Sequence, residues 1–196
     1  MDGMDGAFDH PEAQGRYRVN TNCDACSVNV QLQPSDILLW KVMPGAPLID
    51  RLIGWGERRL GDQVGDAAYF HVAMVGVDPL HYYESKPGGV CNTPVPNPLP
   101  SYIEVRRFIT PLKEDELKRM WVYANSQIGT GYNYIGVLTG GMIEVLGKPF
   151  CSELVWRIAT YEGVVICPWK TCLSPDDIAA SSLLTLPSQI APGTLA

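Results

Sequence analysis

"KPFCSELVWRIA", residues 148–159, decides how this chain reads, because it sets a cysteine at the opening of an amphipathic helix. On a helical period Cys151 shares a face with Leu154, Val155 and Ile158, so its sulfur points toward whatever the helix packs on. Burial among apolar groups raises a thiol's pKa and silences it. A place in the first turn of a helix does the opposite, because free N–H groups and the macrodipole favour the thiolate. The stretch alone leaves two readings open: a small buried core residue, as free cysteines often are, or a nucleophile that needs a base across from it.

The chain has three histidines, at positions 10, 71 and 81, and all precede Cys151. His71 interrupts "AYFHVAMVGV" (Ala68–Val77), which reads as a strand of otherwise apolar character. A lone histidine in such a strand is more often a satisfied core residue than a catalyst. "HYYES" (His81–Ser85) follows across an Asp78-Pro79 turn and reads as the antiparallel partner. That pairing sets Glu84 in the facing strand, where a carboxylate could hold one imidazole nitrogen and fix the tautomer that accepts a thiol proton. A solvated acid at a strand end satisfies the same spacing. His81 sits at the turn beside tyrosines and reads as an exposed hairpin residue.

Outward from these elements, the chain reads as one domain over residues 31–186, with a loosely ordered arm at 1–30 and a tail at 187–196. "SDILLW" (Ser35–Trp40) is a short apolar strand, and Ala46–Leu60 reads as a helix weakened by Gly54 and Gly56. Lys86–Pro100 is so rich in Pro and Gly that it reads as loop, and Ser101–Ile109 resumes as strand. A helix is expected from a Thr110 N-cap with Pro111 at its first position, burying Leu117, Met120, Trp121 and Ala124 and stopping at Gly129. "GTGYNY" carries Tyr132 and Tyr134, which either pack as an aromatic rim or wall a substrate cleft. Val164–Ile166 reads as a short strand, and Ser174 caps a last helix beginning at Pro175.

Bulk properties exclude several classes. At 196 residues and 46% hydrophobic content the chain fills one core but would be cramped as two. A net charge of −6 with no Lys/Arg stripe removes the footprint of a nucleic-acid binder and disfavours an anionic membrane surface. The acidic, Gly-rich start has neither the basic nor the apolar region of a signal peptide, and no stretch is apolar enough to span a bilayer. A cytoplasmic location is the default expectation. Six cysteines do not amount to a disulfide framework for a chain of this size. Cys23-x-x-Cys26 with Cys167 and Cys172 supplies four thiols, yet the second spacing is loose and no ligand-rich knuckle surrounds either pair. Unpaired thiols are the stronger expectation, with no metal site.

In combination the order of these blocks is informative. "SDILLW", then "FHVAMV", then "YYES", then a helix, "GTGYNY" and "PFCSELVW" resembles the permuted branch of the NlpC-type papain-like superfamily. The similarity is greatest to its YiiX-like group and more distant to lecithin:retinol acyltransferase-like proteins. It covers about residues 35–184, and since no histidine follows Cys151, only the permuted order is open to this chain. The resemblance implies an α+β, circularly permuted papain-like fold: an antiparallel sheet or partial barrel packed against the nucleophile helix. It implies Cys151 as nucleophile, His71 as base, Glu84 as the orienting group, and Tyr132 and Tyr134 at the substrate. The implied chemistry is cofactor-free hydrolysis by thioester acyl transfer on an amide of a peptide or cell-wall-like peptide, with a lipid or ester acyl hydrolase or acyltransferase, or an inactive binding module of the same fold, as alternatives. Oligomeric state is not specified. Ser35 stands where the family usually shows glycine before the aspartate, Ala73 replaces a common glycine after the His-Val pair, and the loop at 86–100 is long.

Overall fold

A computed structural model describes residues 30–42, 68–138, 145, 147–168 and 173–186. The expected helix at Ala46–Leu60, the arm as far as residue 29, the tail, Cys23, Cys26 and Cys172 lie outside these residues. Along the strands apolar residues alternate between two faces, as a sheet covered on both sides requires. Ile37, Leu39, Val72, Met74, Tyr83 and Val90 line one core. Leu38, Ala73, Val75, Tyr82, Ile103 and Val105 line the other, with Trp40 packed against it.

The strands are β1 (Ile37–Lys41), β2 (Tyr69–Val75), β3 (His81–Lys86), β4 (Gly89–Pro94) and β5 (Ile103–Arg106). They form one open antiparallel sheet in the order β4-β3-β2-β1-β5. Four helices follow among the described residues: α1 (Glu114–Gln127), α2 (Tyr134–Leu138), α3 (Cys151–Tyr161) and α4 (Pro175–Ala179). The architecture is thus α+β, as expected. α3 lies across β2 and β3, with α1 and α4 beside it. Leu154, Val155 and Ile158 on its inner face are fully buried, each contributing about 1.5–3 kcal/mol of apolar burial.

Three expectations are corrected. The Pro- and Gly-rich stretch after Lys86 is not all loop, because Gly89–Pro94 is the edge strand β4. A two-residue turn, Pro87-Gly88, joins it to β3, with Lys86 opposite Gly89. Pro94 is tolerated at the end of an edge strand. Gly89 itself has φ +115, and a Cβ there would lie 2.3 Å from the Thr130 carbonyl oxygen. α1 starts three residues later than Pro111. Phe108 bridges to Leu184 and the Ile109 N–H bonds the Leu183 carbonyl, so the chain stays extended there. The helix then opens after Lys113, whose N–H donates to Glu116. Val164–Ile166 is not a strand; the Ile166 carbonyl is taken by the Ser181 hydroxyl.

Other expectations hold. Met120, Trp121 and Ala124 are buried on α1, with Leu117 packed against the same core. Gly129, at φ +83, follows the end of that helix. Ser174 caps α4 by accepting the Asp177 N–H.

Candidate active site

The β2–β3 ladder is short. Met74 pairs with Tyr83 and Val75 with Tyr82, and the two strands part beyond those pairs. On the other side β2 stays paired to β1 as far as His71 opposite Trp40, then bulges at Phe70. Backbone groups of Val75 bond β1-side partners, and the Gly76 N–H bonds the His81 carbonyl toward β3. By that alternation the Val72 N–H also faces β3, where no ladder partner meets it. It lies instead toward the sulfur of Cys151, whose ionisation it favours. The start of α3 therefore closes the opening between β2 and β3.

One bond ties it to β3, a second ties it to the segment before α4, and a third group braces the helix itself. The Ser85 hydroxyl donates to the Pro149 carbonyl at 2.6 Å. The Ser152 hydroxyl donates to the Leu173 carbonyl at 2.8 Å. Glu153, fully buried, accepts the Phe150 N–H and is paired with Arg157, so the acid beside the thiol is neutralised.

At this opening the three expected residues meet. Cys151 is buried, with its thiol beside the imidazole of His71. His71 Nε2 and Glu84 Oε2 are 2.9 Å apart. With Nε2 held by the carboxylate, Nδ1 is the nitrogen left for the thiol proton. Trp40 packs edge-on against the imidazole, ring centroids 4.9 Å apart, and limits its rotation. The side chains of His71 and Glu84 are 16% and 6% exposed, so the pair is largely shielded from water.

The electrostatics follow from these contacts. Burial pulls the His71 pKa down, but hydrogen bonds from Cys151 and Glu84 overcome it and raise it to about 9. Burial pushes Cys151 up, yet contact with His71 and the N–H groups of Val72 and Ser152 leave it lowered. Burial also opposes ionisation of Glu84, whose bonds to His71, Lys86 and Thr93 bring it down to about 2. All three shifts favour a thiolate, an imidazolium and a carboxylate together.

Tyr132 and Tyr134 separate. Tyr132 is buried in the larger core, while Tyr134 stands 55% exposed at the start of α2. The two rings meet edge to face at 5.1 Å. His81 is partly exposed and bonds Asp78, away from the cysteine helix.

Sequence reasoning passed over the groups that support this trio. Lys86 and Thr93 both donate to Glu84 Oε1, at 2.5 and 2.6 Å. They come from a hairpin read as loop, so their place opposite Glu84 could not be seen. Ser85 carried a faint signal, as a small polar residue directly after the acid in a buried strand. Among the described residues Cys91 and Cys151 are free thiols. No three His, Cys, Asp or Glu side chains among them converge as metal ligands. No described helix is long and apolar enough to cross a membrane.

No family model matches the sequence, and no curated protein matches it. Among solved structures the chain is similar to the metalloprotein yiiX from Escherichia coli O157:H7, DUF1105. The superposition has a TM-score of 0.55 at 16% identity and covers 79% of this chain and 96% of that one. A likeness at that identity is one of fold.

Proposed function

We propose that this protein is a cysteine hydrolase of the circularly permuted, NlpC-type papain-like arrangement, acting on amide bonds. The observation that carries the reading is the contact from Glu84 through His71 to Cys151, whose ionisation the Val72 and Ser152 N–H groups also favour. The resting site holds a Cys151 thiolate and a His71 imidazolium. The thiolate sulfur attacks the substrate carbonyl carbon, and the resulting oxyanion is held by free N–H groups at the start of α3, including that of Cys151. His71 Nδ1–H passes its proton to the departing nitrogen as the C–N bond breaks, leaving a thioester. Water, losing a proton to His71, then attacks the thioester. The C–S bond breaks and the acid leaves. Glu84 stabilises the imidazolium and fixes its orientation throughout. Tyr134, the exposed member of the tyrosine pair, is the one available to substrate. A peptide amide is the preferred substrate class and an ester the second, in a reducing compartment that keeps the thiols free.

The metalloprotein description belongs to the structural neighbour and is not carried over. The described residues do not fit such a group: Glu84 Oε1 is already covered by an ammonium and a hydroxyl, and no triad of donors gathers elsewhere among them.

The test is alkylation of the full chain near pH 6. Cys151 is expected to react far faster than the other thiols and to lose that advantage in His71→Ala. Should Cys151 react no faster than a free thiol at that pH, the catalytic reading fails.

A further inference from the structure

Glu84 lies between two cationic side chains, and one of them has no part in the chemistry above. Oε2 faces His71 Nε2, whereas Oε1 takes the ammonium of Lys86 at 2.5 Å and the hydroxyl of Thr93 at 2.6 Å. Lys86 is two residues beyond Glu84 on β3 and so leaves the sheet on the same side. Its side chain is 45% exposed, against 6% for the carboxylate it holds. We propose that Lys86 sets the pH window over which the Cys151–His71 pair is charged, by fixing a positive charge on the free oxygen of Glu84. This rests on the reading of Cys151 and His71 as nucleophile and base.

The physical argument is one of sign. A fixed cation behind Glu84 weakens the carboxylate's pull on a proton at His71, so the imidazolium gives it up at lower pH. The same cation favours the negative sulfur, so the thiol also ionises at lower pH. Both limits of the charged pair move down together. The other titratable groups facing the cluster are Cys151 from α3, Tyr82 on β3 and Cys91 on β4, with Tyr102 beyond Tyr82. Among these described groups Lys86 is the one fixed cation. Thr93 gives the same oxygen a neutral bond, so charge and hydrogen bonding can be separated by mutation. Lys86 acts here as a positioning residue, through Glu84.

The experiment is the rate of Cys151 alkylation by iodoacetate, followed from about pH 4 to about pH 10. An anionic reagent reacts best with a thiolate beside an imidazolium, so the rate describes a bell. Lys86→Met is expected to move both limbs upward by about half a pH unit. Lys86→Arg keeps them in place, and Thr93→Val, which removes a neutral bond and no charge, raises them less than Lys86→Met does. Unfolding midpoints of the variants report folding, and Lys86→Gln repeats the charge removal if the Met variant is unstable. Limbs that stay put or fall in Lys86→Met overturn the role of Lys86 while leaving the nucleophile–base pair intact. A wild-type profile without a bell removes that pair, and the role of Lys86 with it.

Discussion

Ser85 Oγ donates to the Pro149 carbonyl at 2.6 Å, joining β3 to the segment that delivers Cys151. Ser85 is fully buried, so the bond has no water to replace it. Ser85→Ala leaves the Pro149 carbonyl unpaired and is expected to cost about 1–3 kcal/mol in denaturant unfolding. Because the bond also holds α3 against the β2–β3 opening, Cys151 alkylation near pH 6 should slow in the same variant. A variant that loses stability and keeps the full alkylation rate would separate the two roles and refute the second.

Ser35 sits at φ +70, in the left-handed region where a side chain is strained. It precedes the buried Asp36. Ser35→Gly removes that strain but adds entropy to the unfolded chain. The net expectation is a gain of about 0.5–1 kcal/mol, read as a raised urea midpoint. A β-branched substitution at the same position should lower it.

Asp36 and Arg107 form a two-pronged ion pair, Nε to Oδ1 and Nη2 to Oδ2, both at 2.7 Å. Burial of Asp36 outweighs the arginine and raises its pKa. Removing the partner therefore strands a buried acid. Arg107→Ala is expected to cost about 3–5 kcal/mol. Arg107→Lys should recover only part of this, since an ammonium cannot reproduce the fork. Equal stability of the Lys variant and the wild type in urea titration would contradict the argument.

How much of this was legible depended on the range of each interaction. Cys151 could be assigned to an inward helix face because the period that places it beside Leu154, Val155 and Ile158 is local. His71 and Glu84, thirteen residues apart on two strands with a short turn between, were within reach of hairpin reasoning. Their separation from the β ladder was not, because it depends on α3 arriving from eighty residues away. β4 was missed because its Gly and Pro are read as breakers. In fact Gly89 serves close approach to Thr130, and Pro94 ends an edge strand. With β4 went Thr93 and the meaning of Lys86. Tyr132 and Tyr134 look equivalent in sequence, and only packing buries one and exposes the other.

Trp121 stacks on Tyr83 with ring centroids 5.6 Å apart and planes 9° apart, while Tyr83 donates to Asn125 at 2.7 Å. The buried indole N–H of Trp121 has no hydrogen-bond partner among the described residues. An orphaned donor costs roughly what a lost hydrogen bond does, about 1–3 kcal/mol. Trp121→Phe removes the donor and keeps an aromatic face, so the cavity it leaves is partly offset. Its expected change in unfolding free energy is within about 1 kcal/mol, against about 3–5 kcal/mol for Trp121→Ala. A Phe variant as unstable as the Ala variant would mean that the indole N–H is satisfied in solution.

Glu84 links the site to acid stability. Its pKa falls to about 2 when folded, despite burial, because His71, Lys86 and Thr93 all bond the carboxylate. A carboxyl whose folded pKa is depressed adds stability above its unfolded value, and that stability is lost as pH falls toward the folded one. The window here runs from the ordinary 4.5 down to about 2. By about pH 3 the loss should be on the order of 2 kcal/mol relative to neutral pH. Glu84→Gln has the same shape and no proton to gain, so it should be the less stable protein at pH 6. Its stability should then fall less steeply through the acid range. Unfolding free energies of the two proteins, measured in urea at several pH values, should therefore converge on acidification. If they run parallel from pH 6 to pH 3, Glu84 is not the ionised partner that His71 requires.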